Sequence, residues 1–534
     1  MINAIDEVFS GWDRAGEPGA AVAVIDRGTV VHKACYGLAD LEHGQPVTAS
    51  SLFYICSITK QFTATAVLML AEAGKCSLDD EVQKHLPELK RFSDKITLRH
   101  LLNNASGLRD HLTLLALSGI TLEQPISRDE LFDLITRQTT LEFPPADRFR
   151  YCNANWELLT FIIERLSGQS LRSFLSERIF QPLGMRSTRL CDDNLELAPS
   201  LARSYKPDGQ GRFRKDEFGI TLSGGGGIVS TLDDLILWHA NYRQNRLMPK
   251  DLMQRLSTRG VTRWGERIGY ALGLRVLDYR GQALWMHGGG LAGYRLELCH
   301  FPDADLGIIV MGNREDFEPT VATRRIADLV LGQRLKPLPS APRTPPVQNL
   351  VGRYYDRKQG HTLVLSAEGE RLWAEVVDYC FGLVPVAADR FETLVGPHPF
   401  SITIAEMDAG RPQRIEAEAD GGQRLTFERA AAPALTASPR ADYVGVYAGP
   451  DLPFAYRIES AGGALSLQIE RSYPRSPISP LQPLFEDVFA FGVPDLNETR
   501  SGTLRFERGP GGKVTALVFN FGRISNLRLA RQPA

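Results

Sequence analysis

A proline-rich segment near the middle of the chain separates two parts of different character. Residues 336–346 (KPLPSAPRTPP) carry proline at five of eleven positions, and proline lacks the backbone N–H group that helices and sheets use. Upstream, helical and strand patterns alternate, whereas downstream only short alternating runs occur between Gly, Asp and Pro. We therefore predict an α+β domain over residues 1–335, a semi-rigid linker over 336–347 and an all-β region beyond it.

The downstream region repeats itself. Residues 350–354 (LVGRY) recur as 443–447 (YVGVY), and residues 424–429 (RLTFER) resemble 526–531 (NLRLAR). Repetition of this length predicts two copies of one supersecondary unit, and the strand pattern makes each an antiparallel β-barrel. The predicted bounds are 348–429 for the first barrel, 430–440 for a second linker and 441–534 for the second barrel.

The upstream region is predicted to form an antiparallel sheet with helices packed against it. Two hairpins are indicated, over residues 20–37 and 294–313, because strand formers flank turn residues in both. Between them, residues 58–73 have apolar side chains at helical spacing and stop at a glycine, and residues 127–130 (SRDE) form a capping box. We predict an antiparallel sheet with helices on both sides and a helical subdomain.

Composition excludes several classes of function. The 534 residues include 61 basic and 63 acidic side chains, for a formal net charge of −2, which argues against a protein that binds nucleic acid through a basic surface. No apolar run is long enough for a membrane span. The N-terminus carries acidic residues where a secretory signal would carry Lys or Arg, so we expect a cytoplasmic protein. Cysteines and histidines show no metal-ligand spacing, so no metal or cofactor is expected.

One sequence motif carries a nucleophile and a base. Ser57 and Lys60 form the only S-x-x-K in the chain, at the start of the predicted helix over residues 58–73. A spacing of three places both side chains on one helical face, about one turn apart. A serine hydroxyl needs a base, and a buried lysine that has lost its proton can serve.

Two further motifs follow in order. Tyr151 and Asn153 form the only Y-x-N, just before a predicted helix; a phenol can shuttle a proton and an amide can hold a substrate carbonyl group. His287 and Gly289 form the only H-x-G, just ahead of a predicted strand. Its glycines would let a substrate backbone approach closely.

These motifs resemble those of the serine hydrolases built like class C β-lactamases and DD-peptidases. The resemblance covers roughly residues 1–335 and includes residues 56–63 (CSITKQFT), 101–108 (LLNNASGL) and 180–185 (FQPLGM). It implies that Ser57 is the nucleophile and that Lys60 and Tyr151 share proton transfer. It also implies that Asn153 holds the substrate and that His287 completes the polar wall of the cleft.

The resemblance further implies an oxyanion hole and a substrate class. The backbone N–H groups of Ser57 and Gly290 would bind the developing oxyanion, and Gly289 would contact the substrate. His287 stands where β-lactamases and DD-peptidases usually have the lysine of K-T-G. A mostly neutral imidazole is a poor receptor for a carboxylate. Family members with H-x-G and two C-terminal barrels remove N-terminal D-residues, which favours amides and short peptides with an N-terminal D-residue.

In such members a loop of the last barrel enters the cleft and confers specificity. The corresponding stretch here is residues 470–484, which contains several prolines between two predicted strands. Its tip carries an arginine and no acid, although a substrate ammonium group calls for a carboxylate. The predicted substrate-binding residues of this loop are Glu470, Tyr473, Arg475, Ser476, Pro477 and Ile478.

The sequence therefore predicts a serine hydrolase that removes N-terminal D-residues such as D-alanine through an acyl-Ser57 intermediate. Two alternatives stay open: an esterase or weak β-lactamase on the same scaffold, and a non-catalytic penicillin-binding-like module. The expected partners are small peptide or amide substrates, with no nucleic acid and no membrane. A homodimer is left open.

Overall fold

The computed structural model describes residues 2–193, 196–248, 251–338, 344–377, 379–396, 399–430, 440–461, 463–470, 479–495 and 498–533. Residues 339–343 of the first predicted linker, residues 431–439 of the second and the tip of the predicted specificity loop (residues 471–478) lie outside the described residues. A helix with the length and apolar composition of a membrane span does not occur within these ranges.

A six-stranded antiparallel sheet forms the centre of the N-terminal region. Both predicted hairpins are confirmed, and the first strand of one pairs with the last strand of the other, from Ala20 opposite Gly312 to Asp26 opposite Leu306. The early and late parts of this region therefore meet in mid-sheet. In spatial order the strands are Arg275–Tyr279, Gln282–Leu291, Tyr294–Phe301, Leu306–Gly312, Ala20–Asp26 and Thr29–Tyr36.

Helices cover both faces of this sheet. Val22 and Val24 point into an apolar cluster shared with the helices Ile2–Val8 and Pro319–Leu331. Their neighbours Ala21 and Ala23 point the other way, into the main core with the helices Thr59–Glu72 and Leu232–Gln244, as the period of two requires. The predicted α+β fold is confirmed.

The remaining α-helices of the N-terminal region contribute buried side chains to the main core. The predicted capping box is present, because the Ser127 hydroxyl accepts from the Glu130 N–H and the Glu130 carboxylate accepts from the Ser127 N–H. The α-helices are Val82–His85, Leu98–Leu102, His111–Leu117, Arg128–Thr136, Ala154–Ser167, Leu171–Leu175, Gln181–Leu183 and Leu252–Leu256. Short helical turns are Cys56–Ile58, Pro87–Arg91, Ser176–Phe180 and Gly332–Arg334, and short strands are Leu38–Asp40, Gln45–Pro46, Phe53–Tyr54, Arg189–Leu190, Tyr205–Pro207, Phe213–Lys215 and Ile228–Ser230.

The all-β region folds into a closed eight-stranded barrel and a near-closed nine-stranded barrel, as predicted. The first follows the helix Val347–Leu350 and consists of Gly352–Tyr355, Thr362–Glu368, Arg371–Val376, Tyr379–Pro385, Arg390–Val395, Phe400–Asp408, Arg411–Ala419 and Gln423–Arg429. The second begins after the turn Arg440–Asp442 and consists of Gly445–Ala448, Ala455–Ala461, Ala464–Glu470, Ser479–Pro480, Gln482–Phe485, Val488–Asp495, Glu498–Arg508, Val514–Phe521 and Ile524–Arg531.

Each copy of the sequence repeat makes the same hydrogen bond at the start of its barrel, which we call the closing contact. The hydroxyl of Tyr354 donates to the carbonyl of Leu350 at 2.7 Å, and that of Tyr447 donates to the carbonyl of Tyr443 at 2.8 Å. The arginine that ends each unit completes the contact. Arg429 donates to the carbonyl of Val351, and Arg531 donates to that of Val444.

Both barrels dock onto the N-terminal region next to the motif residues. In the second barrel, Asp451 accepts from the backbone N–H of Thr139 at 2.7 Å and from Arg109 at 3.3 Å. In the first barrel, Asp420 accepts from the backbone N–H of Gly269 at 2.7 Å. The main core runs on into the second barrel without interruption, so the two form one packed body.

Candidate active site

Ser57 lies in a strained turn ahead of a helix. The turn Cys56–Ile58 precedes the helix Thr59–Glu72, and Ser57 is half-buried. Cys56 has a φ of +49°, which is unfavourable for a residue with a side chain. Its thiol donates to the carbonyl of Tyr54, and Gly289 packs so closely against the carbonyl of Ile55 that a Cβ would approach to 2.5 Å. The surroundings therefore hold the serine in this position.

Lys60 is fully buried and makes three hydrogen bonds. Its Nζ donates to Ser57 Oγ at 3.0 Å, to Asn153 Oδ1 at 3.0 Å and to the carbonyl of Gly225 at 2.5 Å. Three acceptors saturate an ammonium group. The predicted S-x-x-K pair is therefore in contact, and Asn153 from the second motif is bound to it.

Burial is the largest influence on Lys60 and lowers its pKa to about 7, against the opposing charges of Glu157 and Asp110. The guanidinium group of Arg523 lowers the pKa further. A lysine with a pKa near neutrality is partly unprotonated at pH 7 and can accept the proton of a serine hydroxyl.

Tyr151 stands beside this pair. Burial raises its pKa to about 12, although a hydrogen bond with Ser57 and the charges of Arg523 and Arg275 work in the opposite direction. Lys60 Nζ lies 5.1 Å from the centre of the phenol ring. The phenol therefore keeps its proton at neutral pH and can pass one between neighbouring groups.

Asp110 orients Asn153. Its Oδ2 accepts from the backbone N–H of Asn153 at 2.6 Å and from Asn153 Nδ2 at 3.0 Å, while its Oδ1 accepts from the N–H and hydroxyl of Thr113. Burial disfavours the charge, but Arg523 and the backbone N–H groups outweigh it and hold the pKa of Asp110 below its ordinary value. The amide oxygen of Asn153 therefore faces Lys60, and its second N–H is left for a substrate.

The sequence predicts His287 on the wall of the cleft, whereas the structure places it one layer behind. His287 is buried and does not border the cavity. Its Nδ1 lies 2.6 Å from the carbonyl oxygen of Gly288, so this nitrogen carries the proton, and Nε2 accepts from the Tyr270 hydroxyl at 2.9 Å. Burial, with the charge of Lys60, holds the pKa of His287 well below its ordinary value. Both nitrogens are used, so this imidazole supports the wall without contacting a substrate.

The glycines of the third motif have different surroundings. Gly289 packs against the turn that carries Ser57 and is not among the residues that border the cavity. Gly290 is exposed and borders the cavity, as Ser57 does. Ser57 and Gly290 therefore line the same cavity, and their role as an oxyanion hole stays a prediction.

Ser57 borders a cavity of about 760 Å³. Among the other residues that border it are Asp110, His111, Asn153, Glu157, Gly290 and Arg295. Glu157 is buried, and its carboxylate accepts from the hydroxyl of Ser223. Within the described ranges, no three His, Cys, Asp or Glu side chains are grouped to hold a metal ion.

Arg523 is a cavity residue that sequence reasoning missed. It follows Gly522 in the turn between the strands Val514–Phe521 and Ile524–Arg531 of the second barrel, and it borders the cavity. Its guanidinium group lies 3.9 Å from Asp110 and 5.1 Å from the centre of the Tyr151 ring. A Gly-Arg pair in a β-turn is common, so no local signal marked this residue.

The predicted specificity loop does not supply a described cavity residue. Glu470 ends the strand Ala464–Glu470, its carboxylate is bound to Arg457, and it does not border the cavity. The substrate-binding role of Glu470 stays a prediction. The other predicted residues of the loop lie outside the described part of the chain: Tyr473, Arg475, Ser476, Pro477 and Ile478.

Comparisons with known proteins show what the chain is similar to. The beta-lactamase family model matches residues 5–333. D-aminopeptidase from Cereibacter sphaeroides is 28% identical over 527 residues, covering 97% of this chain and 95% of that protein. D-aminopeptidase from Gluconobacter oxydans is 30% identical over 506 residues, covering 94% and 93%. The octameric penicillin-binding protein homologue from Pyrococcus abyssi matches in fold, with a TM-score of 0.56, 22% identity and coverage of 80% of this chain and 98% of its own.

Proposed function

The chain belongs to the beta-lactamase family, and from this membership we propose that it is a serine hydrolase that releases N-terminal D-amino acids from amides and short peptides. Two D-aminopeptidases that align over nearly its whole length support the D-stereospecific activity. The observation that carries the chemistry is the contact between Ser57 Oγ and a buried lysine whose pKa is about 7.

In the proposed acylation step, unprotonated Lys60 takes the hydroxyl proton as Ser57 Oγ attacks the substrate carbonyl carbon. The carbonyl of Gly225 and the amide oxygen of Asn153 then hold the ammonium group that forms. The backbone N–H groups of Ser57 and Gly290 stabilise the oxyanion, an interaction typically worth several kcal/mol in the transition state.

Breakdown of the tetrahedral intermediate requires a proton on the leaving amine. Lys60 now carries one, and Tyr151 borders the cavity with its ring centre 5.1 Å from Lys60 Nζ and its own proton retained at neutral pH. We assign Tyr151 to relay this proton, so that the amine leaves and the acyl group stays on Ser57. Water then attacks the ester, and the same groups work in reverse to release the D-amino acid.

Hydrolysis of D-alanine p-nitroanilide tests this proposal. Ser57→Ala should lower kcat/KM by at least about 1,000-fold, because removal of a nucleophile typically costs this much or more. Ser118→Ala is a control, since it removes a serine hydroxyl outside the cavity; it should retain activity. L-alanine p-nitroanilide should be a poor substrate. Undiminished turnover by Ser57→Ala would overturn the mechanism.

An esterase or weak β-lactamase on the same scaffold is the second candidate. It is favoured by the acid-free tip of the loop over residues 470–484 and by Glu470, whose carboxylate is already bound to Arg457. A comparison of kcat/KM for D-alaninamide, a short-chain ester and a cephalosporin separates these activities. Failure of a serine-directed acylating probe to label Ser57 would instead support a non-catalytic binding module.

The proposal also covers the location, the domain bounds and the oligomeric state of the enzyme. We expect it to act in the cytoplasm on small substrates with N-terminal D-residues. Its proposed units are the catalytic domain over residues 1–335, the linkers 336–347 and 430–440, and the barrels 348–429 and 441–534. Size-exclusion chromatography with light scattering would decide between a monomer and the homodimer left open by the sequence.

A further inference from the structure

One buried polar side chain on the cavity wall lacks a hydrogen-bond partner. His111 is fully buried and borders the cavity, yet neither ring nitrogen has a partner among the described residues. A buried polar group without a partner is costly, and in native proteins such a group usually meets a ligand, an ion or a water molecule. This side chain is therefore placed to meet something that enters the cavity.

We propose that His111, with the nearby carboxylate of Glu157, forms the subsite for the free α-amino group of the substrate. This inference rests on the proposed function and adds the group that recognises an N-terminal residue. It also resolves the absence of an acid from the loop tip, because the carboxylate is supplied by the catalytic domain.

The protonation state of His111 suits this role. Burial lowers its pKa, and the charges of Lys60 and Arg523 act in the same direction, against those of Asp110 and Glu157. The imidazole is therefore neutral at pH 7. One nitrogen of a neutral imidazole is a hydrogen-bond acceptor, and an ammonium group offers only donors.

Of the other acids that border the cavity, Asp110, Glu315 and Asp316 have partners, and Glu318 is exposed to solvent and not buried beside His111. Asp110 receives two hydrogen bonds on each oxygen, from Asn153 and Thr113. At the mouth, Arg295 lies 3.7 Å from Glu315, and Arg314 binds Asp316 at 2.7 Å.

Glu157 differs from these acids. Its Oε2 accepts from the Ser223 hydroxyl, but its Oε1 has only a long contact of 3.4 Å with the Ser223 N–H. It keeps capacity for a further donor and supplies the negative charge that the neutral imidazole lacks.

Position in the cavity explains why the α-amino group is the ligand. Ser57, Gly290, His111 and Glu157 border the same cavity, so a substrate whose oxygen is held at Gly290 can bring its α-amino group to His111 and Glu157. The α-amino group is separated from the acyl carbon by a single carbon atom. Fixing both the oxygen and the amine leaves one direction for the side chain, which is a basis for stereospecificity.

The test compares two substrates that differ only in the amine: D-alanine p-nitroanilide and propionyl p-nitroanilide. In His111→Leu, which keeps bulk but removes the acceptor, the ratio of their kcat/KM values should fall by about tenfold or more. His111→Gln restores an acceptor and should recover part of the ratio. Leu112→Ala borders the same cavity without a polar group, so it should leave the ratio unchanged.

The outcomes distinguish this inference from the proposed function. If His111→Leu lowers kcat/KM for both substrates equally, or for neither, the subsite is wrong while the hydrolase assignment stands. The same conclusion follows if the wild type prefers the propionyl substrate. If the wild type hydrolyses neither compound, the proposed function fails and the subsite fails with it. Circular dichroism of each variant verifies that it is folded.

Discussion

The guanidinium group of Arg523 lies 3.9 Å from the carboxylate of Asp110. This contact joins a turn of the second barrel to the residue that orients Asn153 in the catalytic domain. A barrel residue therefore takes part in the electrostatics of the Ser57 and Lys60 pair, and the second barrel does more than carry a loop.

Removal of the Arg523 charge should change the pH dependence of the enzyme. A positive charge near Lys60 disfavours its protonated form, so Arg523→Gln should raise the pKa of Lys60. Lys60 then stays protonated to higher pH, and the acidic limb of kcat/KM should move upward. Arg523→Lys keeps the charge and should stay close to the wild type. Superimposable profiles of the Gln variant and the wild type would contradict this account.

In the wild type, kcat/KM for D-alanine p-nitroanilide should rise as the pH passes about 7, because burial lowers the pKa of Lys60 to about 7 and only the unprotonated amine can accept a proton. Activity should not fall through ionisation of Tyr151 until the pH approaches about 12. Lys60→Arg should lose about 100-fold or more, because arginine stays protonated. A profile that is flat between pH 5 and 9 would argue against Lys60 as the base.

The ion pair between Arg109 and Asp451 should stabilise the docking of the second barrel. Both side chains are buried, and Asp451 also accepts from the N–H and hydroxyl of Thr139. Asp451→Ala leaves the guanidinium group of Arg109 buried without its counter-charge, so the free energy of unfolding should fall by about 3 kcal/mol. Urea denaturation measures the change. Asp451→Asn keeps an acceptor for Thr139 and should lose less; equal midpoints for Asp451→Ala and the wild type would disprove the claim.

Substitutions of Tyr270 and Tyr151 should distinguish a residue that stabilises the fold from one that takes part in catalysis. Tyr270→Phe removes the donor to His287 Nε2 and leaves a buried acceptor unpaired, which should cost about 1–3 kcal/mol of stability. Its kcat/KM should change little, because His287 does not border the cavity. Tyr151→Phe should lose about 100-fold in kcat/KM through the missing proton relay, with little loss of stability. The reverse pattern would place His287 in contact with the substrate.

Much of the fold could be predicted because its signals are local. The capping box at Ser127 and Glu130 involves residues three apart, and the closing contacts of Tyr354 and Tyr447 reach back only four residues. Ser57 and Lys60 meet for the same reason, since one helical turn separates them.

The position of His287 could not be predicted in this way. Its motif was visible, but whether the side chain faces the cavity or the layer behind it depends on how the strand Gln282–Leu291 packs against Tyr270 and the Ser57 turn. Strand alternation alone offers both choices.

By itself, then, the sequence determined the α+β domain, the two β units and the contact between Ser57 and Lys60, because hydrophobic period, turn chemistry and short spacings act between neighbours in the chain. Tertiary structure alone decided that Arg523 meets Asp110 and that His111 is buried at the cavity without a partner. These placements depend on the docking of a barrel onto a distant helix, and contacts between residues hundreds of positions apart leave no local pattern in a single sequence.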